Sequence, residues 1–307
     1  MPTPALIAPP PLAPGCRVAL VAPAGPLRGE ADVAAAVENA RAFGWETVVG
    51  RYVLQREGYF AGSDDARLAD LDQALRDPRI DAVWCLRGGY GVMRLLDAVD
   101  FEALAHQPKA IVGYSDITAL HCGVAARVPG LVTFHGPVAR NPLSEFSRES
   151  LARAVLHVGD PCGAAPDARP LRPGSARGRL AGGNLALLAA LCGTPWAPRF
   201  DGAVVVLEDI HEAVYRVDRM LRQLVLAGAF DGCRAVIFGQ CTDCPETFDD
   251  DGRRSLDDVV TEIADLLGVP ALAGVPVGHV DDQWTLPLGA EAEVDVDART
   301  VTVSWGG

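Results

Sequence analysis

Apolar positions in the first half of the chain fall into short β-branched runs separated by longer stretches with helical spacing, the pattern of a parallel sheet wrapped by helices. Strands are predicted at Arg17 to Val21, Glu46 to Val49, Ala82 to Leu86 and Ala110 to Val112. Between the second and third, Leu68, Leu71 and Leu75 recur at helical spacing after a Ser63 cap, with Asp64 and Asp65 in the first turn and Pro78 as the stop. Residues 159–178 lose this periodicity and are rich in Pro, Gly and Ala, so they read as a linker between an N-terminal α/β domain (1–158) and a smaller mixed β/α domain (179–307). The second domain is predicted to hold helices at Asn184 to Leu191, Val214 to Leu226 and Leu256 to Leu267. Strands are expected at Ala203 to Leu207 and Ala235 to Phe238, and the tail, ending at Val303, is β-rich.

A chain of 307 residues that is 49% hydrophobic can bury a core without disulfides or metals. Its 40 acidic against 27 basic residues give a net charge of −13, which repels phosphate backbones and anionic lipid and argues against nucleic acid as a partner. The eight cysteines are scattered, several inside apolar runs, as in a reducing cytoplasm. Cys241 and Cys244 form the only CxxC; without a second pair at zinc spacing it reads as a surface loop rather than a metal or redox centre. The N-terminal segment to Gly15 is broken by prolines and lacks a basic leader, so neither a secretory signal nor a membrane span is expected, and Cys16 reads as the start of the first strand.

Candidate chemistry gathers where strands end. Ala110–Gly113 runs into Tyr114, Ser115 and Asp116 and then a helical pattern, a strand–turn–helix that pushes a serine out at the carboxyl edge of a sheet. The following helix end favours the Asp116 amide as an oxyanion donor. Ile117 stands where a nucleophile elbow has its second glycine, and a serine that only caps the helix fits the pattern equally well. Leu86-Arg87-Gly88-Gly89-Tyr90-Gly91 follows another strand and offers amides at the same edge; it lacks the lysine and spacing of a phosphate loop. Of the six histidines, His106, His121 and His157 lie in or beside helical patterns, whereas His135 and His211 fall near plausible active edges. His279 follows an apolar strand and Gly278 directly. Glu208 ends a strand that reads as buried on both faces and is the candidate carboxylate, while Asp209 reads as a helix cap.

Together, Val21-Ala-Pro-Ala-Gly-Pro26, Leu86-Arg-Gly-Gly-Tyr-Gly91, Gly113-Tyr-Ser-Asp-Ile-Thr118, Phe134-His-Gly-Pro137, Ala181-Gly-Gly-Asn-Leu185, Leu207-Glu-Asp209 and Gly278-His279 resemble the LD-carboxypeptidase family of serine peptidases, from about residue 16 to 303. The resemblance implies a flavodoxin-like N-terminal domain, a mixed C-terminal domain, a homodimer and no metal or other cofactor. It implies Ser115 as nucleophile, His279 as base and Glu208 as its orienting acid, with the Asp116 and Gly89 amides holding the oxyanion. The reaction implied is cytoplasmic removal of the terminal D-alanine from murein tetrapeptides during cell-wall recycling. Arg87, Tyr90 and Trp284 are candidate substrate contacts, Arg87 for the D-alanine carboxylate. A second branch of the same family, the microcin C immunity peptidases, cleaves an amide beside an aminoacyl-nucleotide and would need an aromatic platform, for which Trp196 and Trp284 are candidates. A non-catalytic binding protein on the same scaffold is the reading from a different class.

Overall fold

The computed structural model describes residues 4–246 and 254–305; Met1 to Thr3 of the proline-rich N-terminal segment and the last two residues of the second domain lie outside them. The first unit runs β1 (Arg17–Val21), α1 (Glu30–Ala42), β2 (Glu46–Val49), α2 (Asp64–Arg76), β3 (Ala82–Cys85), α3 (Phe101–His106), β4 (Ala110–Gly113), α4 (Thr118–Arg127), β5 (Thr133–His135) and α5 (Glu145–Leu156). The second runs β6 (Gly163–Ala164), β7 (Arg169–Arg172), β8 (Ser175–Asn184), α6 (Leu185–Ala190), β9 (Ala203–Ile210), α7 (Val214–Leu226), β10 (Ala235–Thr242) and α8 (Leu256–Leu267). It continues with β11 (Ala271–Ala273), β12 (Leu286–Leu288), β13 (Glu291–Asp295) and β14 (Thr300–Ser304).

Local chemistry accounts for the helix ends. Ser63 Oγ accepts from the Ala66 amide at 3.2 Å to start α2, and Ser255 and Asp258 cap α8 reciprocally before Gly268 closes it in a left-handed conformation. On α7 the buried residues Val214, Val217, Leu221 and Leu224 recur at three- and four-residue steps, so one stripe faces the second sheet.

In the first sheet the order is β12-β5-β4-β3-β1-β2, with β1 to β5 parallel; this is the flavodoxin-like arrangement, whose strand order reverses between β1 and β3. The eight-stranded second sheet has the order β6-β14-β13-β8-β9-β10-β11-β7, parallel across β8 to β11 and antiparallel at both flanks. Two features depart from the sequence reading. The stretch 159–178 is no free linker, because β6, β7 and the start of β8 lie within it and pair into the second sheet. The chain also returns late to the first sheet, where β12 pairs antiparallel with β5 through Leu286 and His135.

The two units share one apolar core. Leu20, Trp84 and Phe134 of the first sheet fall in the same buried cluster as Val204, Val206, Ile237 and Leu272 of the second. This packing fixes the carboxyl ends of β4 and β9 relative to each other, and a hydrogen bond from the Asn184 amide to Thr118 Oγ1, 3.0 Å, joins β8 to α4 across the seam.

Candidate active site

Ser115 sits one residue beyond β4 and its neighbour Tyr114, with φ 64, a left-handed backbone that a non-glycine residue adopts only at a cost of order 1–3 kcal/mol unless the surroundings impose it. A single 3₁₀ turn, Ser115–Ile117, then leads into α4. The capping alternative is not realised: no side-chain cap bond forms at this helix start. The strained turn therefore presents a half-buried hydroxyl instead of burying it in the helix.

The glycine-rich turn after β3 lies against that hydroxyl. A Cβ on Gly88 would stand 2.8 Å from Ser115 Cβ and 3.0 Å from its Oγ, so the approach requires glycine. The Gly88 carbonyl accepts from the Gly25 amide at 3.0 Å, which ties the β1 loop to the β3 loop at the switch point of the sheet. Asp116 reinforces the turn from the other side: its Oδ2 accepts from the Val92 amide at 2.9 Å, and burial pushes its carboxyl up to about 6. This side-chain tether between the two candidate oxyanion loops was not apparent from sequence, where Asp116 counted only for its amide.

Glu208 lies within β9, two residues before its end, and is fully buried. Its Oε2 accepts from His279 Nδ1 at 2.9 Å, and its Oε1 has no partner. A carboxylate at that distance holds the proton on Nδ1 and leaves Nε2 as the basic nitrogen. Gly278 makes the approach possible, with φ +122 and a Cβ position 3.1 Å from Glu208 Oε2. The His279 ring packs on Tyr114, ring centroids 4.7 Å apart, beside the serine, although no hydrogen bond yet joins Ser115 Oγ to the imidazole among the described residues. Burial pushes the Tyr114 phenol up to about 12, so it stays neutral next to the pair.

The remaining histidines separate cleanly from this one. His106 and His211 are exposed, and His157 ends α5 in a left-handed conformation. His121 and His135 are buried side by side; His121 Nε2 lies 2.9 Å from the Gly113 carbonyl, and burial holds His135 down to about 3, keeping it neutral. Asp209 turns away from Glu208 and binds the Ala186 amide at 2.9 Å and Asn184 Nδ2 at 3.1 Å, so it supports the start of α6 and does not cap the helix that follows it, α7, which starts without a side-chain cap.

Among the proposed substrate contacts, Tyr90 is exposed beside Tyr59 and Phe60, and Arg87 is half-buried with its guanidinium on the Pro26 carbonyl. Trp284 is only 2% exposed and belongs to the shared core, so it offers no open face to a substrate; Trp196, packed against Phe101 and Arg127, offers none either. Among the described residues no cluster of three or more His, Cys, Asp or Glu has metal-binding geometry, and no helix is long and apolar enough to cross a membrane. A surface depression of ≈ 580 Å³ along α2, lined by Asp65, Leu68, Asp72 and Arg76, includes none of the candidate catalytic or substrate-contact residues.

The fold and this arrangement place the chain among the LD-carboxypeptidases, and comparison with known proteins establishes the membership. Residues 18–136 match the LD-carboxypeptidase N-terminal domain and residues 177–294 the C-terminal domain. A carboxypeptidase-family relative from Streptomyces coelicolor is 43% identical, the match covering 97% of this chain and 96% of the relative. Among solved structures, muramoyltetrapeptide carboxypeptidase from Oxalobacter formigenes superposes with a TM-score of 0.82 at 31% identity, covering 94% of this chain and 97% of that one. The self-immunity protein MccF, in complex with glutamyl sulfamoyl guanosine, superposes with a TM-score of 0.87 at 26% identity over 99% of each chain. The chain therefore belongs to a family of murein peptide carboxypeptidases and MccF-like peptidases.

Proposed function

We propose that this protein is a serine-type LD-carboxypeptidase that removes the terminal D-alanine from murein tetrapeptides, with Ser115, His279 and Glu208 as its catalytic triad. The observation that carries the reading is the 2.9 Å bond between fully buried Glu208 and His279, set beside a serine held in a left-handed turn at the carboxyl end of a parallel strand. His279 Nε2 takes the proton as Ser115 Oγ attacks the carbonyl carbon of the scissile amide. Glu208 stabilises the resulting imidazolium, and the amides of Asp116 and Gly89 receive the oxyanion. Collapse of the tetrahedral intermediate passes that proton to the leaving D-alanine nitrogen, and water then releases the acyl chain from Ser115 by the same route. Eight unpaired thiols accord with a reducing cytoplasm as the site of action, and a homodimer is the expected assembly.

The aminoacyl-nucleotide reading draws on the resemblance to MccF, but the two tryptophans considered as purine platforms are buried. Mass spectrometry of a murein tetrapeptide and of an aminoacyl-adenylate analogue, each incubated with the wild type and with Ser115→Ala, tests the proposal. Loss of D-alanine with the wild type alone is the expected result. Release of the nucleotide portion alone would move the protein to the other branch, and silence on both would favour a binding protein.

A further inference from the structure

The loops after the other four parallel strands of the first sheet each carry at least one arginine. Arg28 follows β1, Arg56 follows β2, Arg87 follows β3 and Arg140 follows β5, while β4 supplies Ser115. Two guanidinium hydrogen bonds and one ion pair bring Arg87, Arg56 and Arg140 to a single segment, residues 26–32, which holds Arg28 itself. The Arg87 guanidinium donates to the Pro26 carbonyl, and Arg56 Nη2 donates to the Leu27 carbonyl at 3.3 Å. The Arg28 amide donates to Asp32 Oδ2 at 2.8 Å, and Arg140 Nη1 lies 3.7 Å from the same oxygen.

That segment is continuous with the catalytic edge, because Gly25 bonds Gly88 and Gly88 lies against Ser115. Arg140 also bears on Tyr114, whose phenol it influences electrostatically, and the Tyr114 ring packs on His279.

Charge at this rim is not balanced. Among the described residues Asp32 is the one carboxylate paired with any of the four guanidinium groups, in a chain whose net charge is −13. Arg140 Nε is buried without a partner. Burial and the neighbouring charges of Arg140 and Arg28 lower the Arg87 pKa, the mark of cations held together without enough anions. Such a cluster is unfavourable in the free protein and becomes favourable when a ligand brings negative charge, and guanidinium is the group that binds carboxylate in a two-pronged, oriented way.

We infer that Arg28, Arg56, Arg87 and Arg140 form a carboxylate-recognition rim that selects stem peptides bearing several free carboxylates. The rim receives the carboxylate of the leaving D-alanine together with carboxylates upstream, and it prefers diaminopimelate, with its distal carboxylate, to lysine, with its bare ammonium, at the third position. This rests on the carboxypeptidase reading and adds the determinant of its substrate.

The test is calorimetric binding to the Ser115→Ala protein, which removes turnover from the readout. Three probes are used: the diaminopimelate tetrapeptide, its lysine counterpart, and the diaminopimelate tetrapeptide ending in D-alaninamide. The first binds tightest, and Arg56→Gln, Arg87→Gln and Arg140→Gln each weaken it by about tenfold or more while narrowing its lead over the other two. Arg177→Gln, at an exposed pair with Glu291 on β8, leaves all three affinities unchanged. Equal binding of the three probes, binding of none, or arginine variants that fold and bind like their parent would overturn the rim. Arginine-dependent binding combined with no cleavage by the intact Ser115 protein would instead sink the carboxypeptidase reading and leave the rim standing.

Discussion

Glu208→Gln is the most informative single change because it keeps size and shape while removing one charge. Glu208 is fully buried; Oε2 holds His279 Nδ1 at 2.9 Å, and Oε1 has no partner. A glutamine there has two choices. With its oxygen toward Nδ1 it keeps the correct tautomer, but it leaves an amide nitrogen unsatisfied at the Oε1 position, which costs about 1–3 kcal/mol, and it offers the imidazolium no counter-charge. Flipped, it donates to Nδ1 and moves the imidazole proton to Nε2, where the ring can no longer act as base. Losing the buried partner of a charge that develops during the reaction is worth roughly 3–5 kcal/mol, so kcat should fall by about 10²- to 10⁴-fold. KM should change little, since Glu208 has no exposed surface for substrate. The assay is steady-state release of D-alanine, with circular dichroism and thermal melting to show that the variant folds. A folded Glu208→Gln enzyme with kcat within a factor of a few of the wild type would refute the triad assignment.

Gly88→Ala should cost at least about 10²-fold in kcat, because a methyl 2.8 Å from Ser115 Cβ must push the nucleophile or the turn aside; the kinetics of the folded variant check this. The Asp116 carboxyl, raised from 3.8 to about 6 by burial, favours the protonated form in the folded state, so its contribution is fully present below pH 3.8 and is lost as pH climbs through 6. Asp116→Asn escapes that loss, which at full extent is about 3 kcal/mol, so its stability to urea relative to the wild type should rise between about pH 4 and pH 7, and a pH-independent difference would count against the assignment. Of the eight thiols Cys244 alone has a lowered pKa, through its interaction with the neighbouring thiol of Cys241. Peptide mapping after brief iodoacetamide treatment should find Cys244 modified first, and Cys241→Ala should slow its modification.

Regular, strongly patterned elements were legible in the sequence, and short or glycine-rich ones were not. β1, β2, α7 and α8 have the predicted bounds, because β-branched runs and apolar steps of three and four leave little choice there. The strands hidden in the predicted linker have a physical reason: β7, Arg169–Arg172, is an edge strand, where Pro170 lacks an amide but need not bond outward, and β6 has only two residues. Pro287 in β12 misleads in the same way, again at a sheet edge. In β8, Gly178, Gly182 and Gly183 conceal a ten-residue strand because a Cβ at each would meet neighbouring backbone or side-chain atoms at under 3 Å, so close packing calls for glycine there, joined at Gly182 and Gly183 by a positive φ.

The candidate site divides along the same line. Ser115, Glu208 and His279 stood out because each follows or ends an apolar run; Ser115 and Glu208 lie at or near strand ends, where an α/β sheet delivers side chains to a common edge, whereas the run before His279 forms no strand, β11 having ended at Ala273. The arginine rim did not, apart from Arg87. Arg28, Arg56 and Arg140 lie in loops separated by up to 112 positions in the chain, and nothing in their local sequence distinguishes them from solvated surface charges. Only the strand order, which sets the loops after β1 and β3 side by side and carries β5 to the far side of the serine, turns them into one feature. Candidate catalytic groups that follow apolar runs can therefore be read one at a time, whereas recognition spread across several loops is a property of the topology. Within this family, the chemistry should accordingly be more legible from sequence than the choice of substrate.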